Sequence, residues 1–147
     1  MTRREWLPRL GVAAGYVLVA IAFTWPLPLH LGSRLLGDPG GDTGVYIWNQ
    51  WVFQSEAVSG RNPLTTEKIL ALSQRVDLSQ HNYTAFLNLL ALPLIPLAGV
   101  VASYNLVLLI ATVLTALCTY ALARLAFPAA TRVEAFTAGL AFAWSSA

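Results

Sequence analysis

Hydrophobic positions along this chain come in long unbroken runs, not in the short alternations of a soluble fold. From Leu10 to Ser33 there is no Asp, Glu, Lys or Arg, and between Gly11 and Trp25 only Thr24 is polar. A run of that length predicts a membrane-spanning helix over about residues 10–29. Trp25, Pro26 and Pro28 mark its outer end, where an indole suits the headgroup layer and proline closes the helix. A second charge-free stretch runs from Leu78 to Ala123. Within it, Tyr104 to Ala123 predicts another spanning helix. Ala85 to Ala102 is shorter and is interrupted by Asn88, Pro93, Pro96 and Gly99. A third apolar run starts near Ala135 and reaches Ala147 with no polar boundary, which predicts a spanning helix cut short and an amino-terminal piece of a longer protein.

Between the first two runs the pattern turns polar. Arg34 to Asp77 holds Asp38, Asp42, Glu56, Glu67 and Asp77 against Arg34, Arg61, Lys68 and Arg75. Gly37-Asp38-Pro39-Gly40-Gly41-Asp42 is turn sequence, and Asp42 stands where a helix would be capped. From Thr43 to Ser59, Val45, Ile47, Trp48, Trp51, Val52 and Val58 share one side of a 3.6-residue helix. Asn49, Gln50, Gln54 and Glu56 share the other. With two tryptophans on its apolar side, the expected helix at about 43–59 lies on a membrane surface. Gly60 and Asn62-Pro63 stop it.

Charge placement orients these elements. Arg3, Arg4 and Arg9, opposed only by Glu5, put the amino terminus in the cytoplasm and the loop at 30–103 outside. If residues 85–102 spanned, Arg124 and Arg132 would lie outside, against the same rule. The expected arrangement is therefore a surface or re-entrant helix at about 85–100, followed by a span at 104–123. A cleaved signal peptide is the competing reading of the start, with Ala20-Ile21-Ala22 as its small-x-small site. The apolar run continues past that site through Phe23, Trp25, Leu27 and Leu29, which fits an uncleaved anchor better.

Composition agrees: 56% of the 147 residues are hydrophobic, 11% are charged and mean hydropathy is +0.60. An ordinary soluble domain carries about 25% charged residues. The expected fold class is all-α, a polytopic helical membrane protein. A net charge of +2 spread along the chain forms no basic patch, so nucleic acid is not an expected partner. The single cysteine, Cys118, lies in an apolar run and reads as a small helix residue.

No metal cluster, Walker loop, dinucleotide fingerprint or nucleophile elbow is present in the sequence. Three stretches nevertheless carry a resemblance: Gly41-Asp42-Thr43-Gly44-Val45-Tyr46-Ile47-Trp48, Gly60-Arg61-Asn62-Pro63 and Leu78-Ser79-Gln80-His81. Together with Ser103-Tyr104-Asn105-Leu106 through Arg124 and Ala138 to Ala143, they resemble the amino-terminal region of GT-C type glycosyltransferases. Those are polytopic enzymes that use polyprenyl-phosphate sugars, among them protein mannosyltransferases and aminoarabinose transferases of lipid A. The resemblance implies a bacterial inner-membrane location and a polyprenyl-phosphate-sugar donor in the bilayer. It implies Asp42 as the catalytic carboxylate, accepting a proton from an acceptor hydroxyl or helping to hold a divalent cation.

Each residue also has a plainer reading. Asp42 could simply cap a helix. His81 could bind substrate phosphate or a metal near the membrane surface, or stand as a solvated helix-start residue. Arg61, Lys68 and Arg75 could face a lipid phosphate or merely water. His30 sits in the interface with no further role. Asn82-Tyr83-Thr84 matches a glycosylation acceptor on the outward side. A non-catalytic membrane protein, either a transporter segment or a small subunit, is the alternative function. The three apolar segments carry no buried charge, which weighs against transport.

Overall fold

The computed structural model describes residues 3–38, 41–69 and 74–145, with side chains from Leu10 onward. Pro39 and Gly40 of the expected turn, and Ser146-Ala147 of the apolar ending, lie outside the described residues, as do the side chains of Arg3, Arg4, Glu5 and Arg9. The chain is mostly helical. In order come α1 (Arg3–Phe23), a 3-10 turn (Leu27–Leu29), α2 (Thr43–Val58), β1 (Thr65–Thr66), β2 (Val76–Asp77), α3 (Ala85–Ala91), α4 (Ile95–Ala126) and α5 (Arg132–Ala143). The chain divides into two units, one of Met1–Pro28 with Leu108–Ala147 and one of Leu29–Val107.

In the first unit, α1 ends at Phe23, six residues before the expected boundary. Thr24 Oγ1 donates back to the Ala20 carbonyl at 2.8 Å, and Pro26 and Pro28 then remove the N–H groups a further turn would need. Its apolar part is Leu10–Phe23. Tyr16 is fully buried, stacks on Phe136 of α5 at 4.3 Å between ring centroids, and donates to the Phe136 carbonyl at 3.1 Å. Gly139 leaves room for that tyrosine, since a Cβ there would lie 2.1 Å from its hydroxyl and 2.6 Å from the Ala116 carbonyl oxygen. α5 begins at Arg132 and not near Ala135, because Thr131 and Glu134 form a reciprocal capping box.

The segment 85–102 is not one helix. Pro93 sits in a turn that separates α3 from α4, and Gly99 leaves helical geometry altogether at φ 80°, a region that favours glycine. From Val100 to Ala126 the helix runs on, 27 residues that rise roughly 40 Å. α4 is thus long and apolar enough to cross a membrane, and 11% of its most apolar window is buried within the chain.

The second unit has an apolar cluster of Ala91, Ile95 and Val107 with Leu87, Leu94 and Val100 packed against it, and polar side chains tie its loops in place. Asn105, fully buried on α4, accepts from the Leu36 N–H at 3.0 Å and donates to the carbonyls of Leu31 at 2.8 Å and Arg34 at 2.7 Å. It pins the loop that leads from the 3-10 turn toward α2. An antiparallel two-residue pairing, Thr65 with Asp77 and Thr66 with Val76, is an element that the all-α expectation did not include.

Candidate functional site

α2 is the element on which the expected site was built, and its polar side is turned inward. Asn49, Gln50 and Glu56 are buried. Asn49 Nδ2 donates to the Asn82 carbonyl at 2.9 Å, and Gln50 Nε2 to the Val100 carbonyl, just past the Gly99 kink, at 3.0 Å. Glu56 accepts from Thr66 Oγ1 at 3.0 Å and from Arg61 Nε at 2.5 Å. The Arg61 hydrogen bond, outweighing burial and aided by Thr66, holds the Glu56 carboxyl below the usual carboxylate range. Asn49 Nδ2, Gln50 Nε2 and the Glu56 carboxylate thus each have a partner outside α2, while the buried Asn49 Oδ1 has none. Val45, Trp51 and Val58 of the apolar side are exposed, whereas Val52 is buried.

Asp42 occupies the N-cap position of α2, but its side chain makes no capping hydrogen bond and it is exposed. Its carbonyl accepts from the Tyr46 N–H at 3.0 Å, so the helix starts here without help from the carboxylate. The loop before it is close to the helix start: a Cβ on Gly37, which has φ 123°, would lie 2.4 Å from Thr43 Oγ1. The Asp38 carbonyl accepts from the Gly41 N–H at 3.1 Å.

His81 lies elsewhere in the second unit, on a groove of about 570 Å³ lined by Trp48, Lys68, Ile69, Val76, Asp77, Leu78 and His81. Asp42 does not line that groove. Lys68 is positioned from both ends, its N–H donating to buried Thr66 Oγ1 at 3.1 Å and its ammonium lying 5.1 Å from the centre of the Trp51 ring. Asp77 Oδ1 accepts from the Ser79 N–H at 2.8 Å, and this bond lowers the carboxyl's pKa from its ordinary value. Arg61 and Arg75, by contrast, pair with Glu56 and Glu67.

Among the described residues no three of His, Cys, Asp and Glu converge to hold a metal ion. Asn82, of the glycosylation pattern, donates through Nδ2 to the Tyr46 hydroxyl at 3.0 Å. The groove went unseen in sequence because its lining comes from α2 and from segments on either side of the β1–β2 pairing, whose strands are too short to leave a pattern. No protein-family model, curated protein or solved structure matches this chain.

Proposed function

We propose that this chain is part of a polytopic membrane glycosyltransferase that moves a sugar from a polyprenyl-phosphate donor to an acceptor hydroxyl, with Asp42 as the reaction-site carboxylate. The observation that carries the reading is the exposed Asp42 side chain, which stands at a helix head yet forms no cap. An Asp at this position ordinarily accepts from the first orphan N–H groups. Left out of that bond, the carboxylate can accept the proton of an acceptor hydroxyl. The hydroxyl oxygen then bonds to the anomeric carbon, the bond from that carbon to the phosphate oxygen breaks with inversion, and polyprenyl phosphate leaves.

Support for the membrane part comes from α4. Leu97, Leu114, Leu122 and Leu125 are all exposed, and an apolar surface of that extent is unfavourable in water. On this reading the amino terminus is cytoplasmic, the loop at 30–103 faces outward, and the exposed Trp51 lies in the headgroup layer. Ser79→Cys and Thr131→Cys, each in a Cys118→Ser background, test it: a membrane-impermeant maleimide applied to intact cells should label only the first.

The transfer step is tested by Asp42→Asn in membranes expressing the full coding sequence. Because the wild-type side chain caps nothing, protein level should hold while transfer from a polyprenyl-phosphate sugar falls by a factor of order one hundred. Asp38→Asn is the matched control and should cost little. Near-normal transfer by Asp42→Asn would remove the carboxylate role and leave the non-catalytic membrane protein as the better account.

A further inference from the structure

From α3 to the Gly99 kink the chain is polar inside and apolar outside. No exposed side chain between residues 85 and 99 is polar, and the one polar residue of that stretch, Asn88, is 2% exposed. Phe86, Leu89 and Leu90, spaced i, i+3 and i+4, make one bare side of α3, with Phe86 71% exposed. Leu97, beyond the Pro93 turn, is 85% exposed. Asn88 is turned inward although its Nδ2 finds no hydrogen-bond partner there. In water an amide gains by turning out to solvent, and leaving it buried and unpaired costs free energy. The inward turn is favoured where the outside is poorer still in hydrogen-bond partners.

The backbone of the break meets the same condition. Pro93 and Pro96 have no N–H, and the N–H groups of Leu92, Leu94, Leu97 and Ala98 each bond to a carbonyl within residues 88–94. A segment that enters hydrocarbon has to satisfy its donors in this way. α2, in the same unit, shows the same inversion: its one charged residue, Glu56, is buried, while Val45, Trp51 and Val58 are exposed. A protein partner calls for a polar rim around an apolar patch. No Asp, Glu, Lys or Arg occurs from Leu78 to Ala123, so the stretch brings no charged rim of its own. It runs on instead into the rest of α4, the helix long and apolar enough to cross a membrane.

We infer that α3 and the turns up to Gly99 are inserted in the outer leaflet of the bilayer, with Phe86, Leu89, Leu90 and Leu97 against acyl chains. The seven residues of α3 rise about 10 Å, against roughly 30 Å for a hydrocarbon core, so α3 enters one leaflet and does not cross. The kink at Gly99 separates this shallow segment from the run of α4 that follows. The inference rests on the membrane reading but not on the transferase reading, so loss of the Asp42 role would leave it standing.

The test uses the full chain carrying a single nitroxide label, attached in a Cys118→Ser background through Phe86→Cys, Leu90→Cys or Leu97→Cys, and reconstituted in phosphatidylcholine vesicles. Collisions of the label with oxygen, which concentrates in hydrocarbon, and with a water-soluble nickel chelate are read by electron paramagnetic resonance. Leu114→Cys, at an exposed position of α4, is the lipid reference, and Ser79→Cys is the water reference. Labels at residues 86, 90 and 97 should show the high oxygen-to-nickel collision ratio of residue 114, several-fold above that of residue 79. The replaced side chains are exposed, so the cysteines remove little internal packing, and an unchanged helical circular-dichroism spectrum identifies proteins that have kept their fold. A water-like ratio at these three positions, with residue 114 still lipid-like, would overturn the insertion and leave the membrane reading in place. Few collisions with either reagent would overturn it too, since protein would then cover the patch. If residue 114 itself matched residue 79, the membrane reading would fail and the insertion with it.

Discussion

Replacing Asn105 by alanine should release the loop at residues 31–36 while leaving the rest of the second unit folded. One buried amide there makes three hydrogen bonds to loop backbone, to Leu36, Leu31 and Arg34. Each is worth about 1 kcal/mol net, and a buried group left unpaired costs about 1–3 kcal/mol. The loop residues are themselves exposed or half-buried, so water can reach the freed carbonyls once the loop lifts, and the loss is smaller than the full sum. An expected cost of about 2 kcal/mol to local stability corresponds to a rise of roughly 30-fold in the open population. Arg34 lies inside the clamped loop, so trypsin reads that population directly when cleavage is slower than reclosing. Cleavage after Arg34 should accelerate by roughly the same factor, while cleavage after Arg61, outside the clamp, stays near its wild-type rate. Asn105→Asp should behave no better than alanine, because it removes both donated bonds and sets a carboxylate against two carbonyl oxygens. A change below about threefold at Arg34, or a parallel rise at Arg61, would refute the clamp.

The Glu56 network should give the second unit an acid-labile stability. Because the carboxyl is held below its ordinary pKa, its contribution is fully present above about pH 4.5 and is lost as pH falls through the lower folded value. Thermal unfolding in detergent between pH 7 and pH 3 should show that drop in wild type and a flatter profile in Glu56→Gln. In the first unit, Gly139→Ala should lower the unfolding midpoint through a clash costing about 1–3 kcal/mol. Part of that loss should return in a Tyr16→Phe background, which removes the hydroxyl but not the approach to the Ala116 carbonyl.

Breaks and stops were largely legible in the sequence, because they depend on local chemistry. Pro93 and Gly99 interrupt the segment 85–102 where their backbone restrictions require, and Gly60 follows the end of α2 with φ 69°. The start of α5 was legible too, since Thr131 and Glu134 have the spacing of a capping box; the apolar run after them drew the boundary three residues late. What local chemistry does not contain is the partner of a polar group. Asn49, Gln50 and Glu56 share one side of α2 in the pattern, but their partners come from Asn82, Val100, Arg61 and Thr66. Amphipathicity says that two sides of a helix differ; it does not say which one the chain covers.

That same distinction governs Asp42 and the groove. Sequence position alone made Asp42 a cap, because Asp before a helical run satisfies orphan N–H groups in most proteins. The side chain here makes no such bond, so the plainer explanation for an acid at this position is weakened by geometry that periodicity does not contain. His81 and Lys68 show the converse. Each taken singly is one more polar residue in a mixed-charge loop, and only the pairing of Thr65 with Asp77 brings Lys68, Asp77 and His81 onto one groove with Trp48. For Asp42 the carboxylate stays out of the capping bond nearest to hand, and on the transferase reading its proton donor comes from outside the chain.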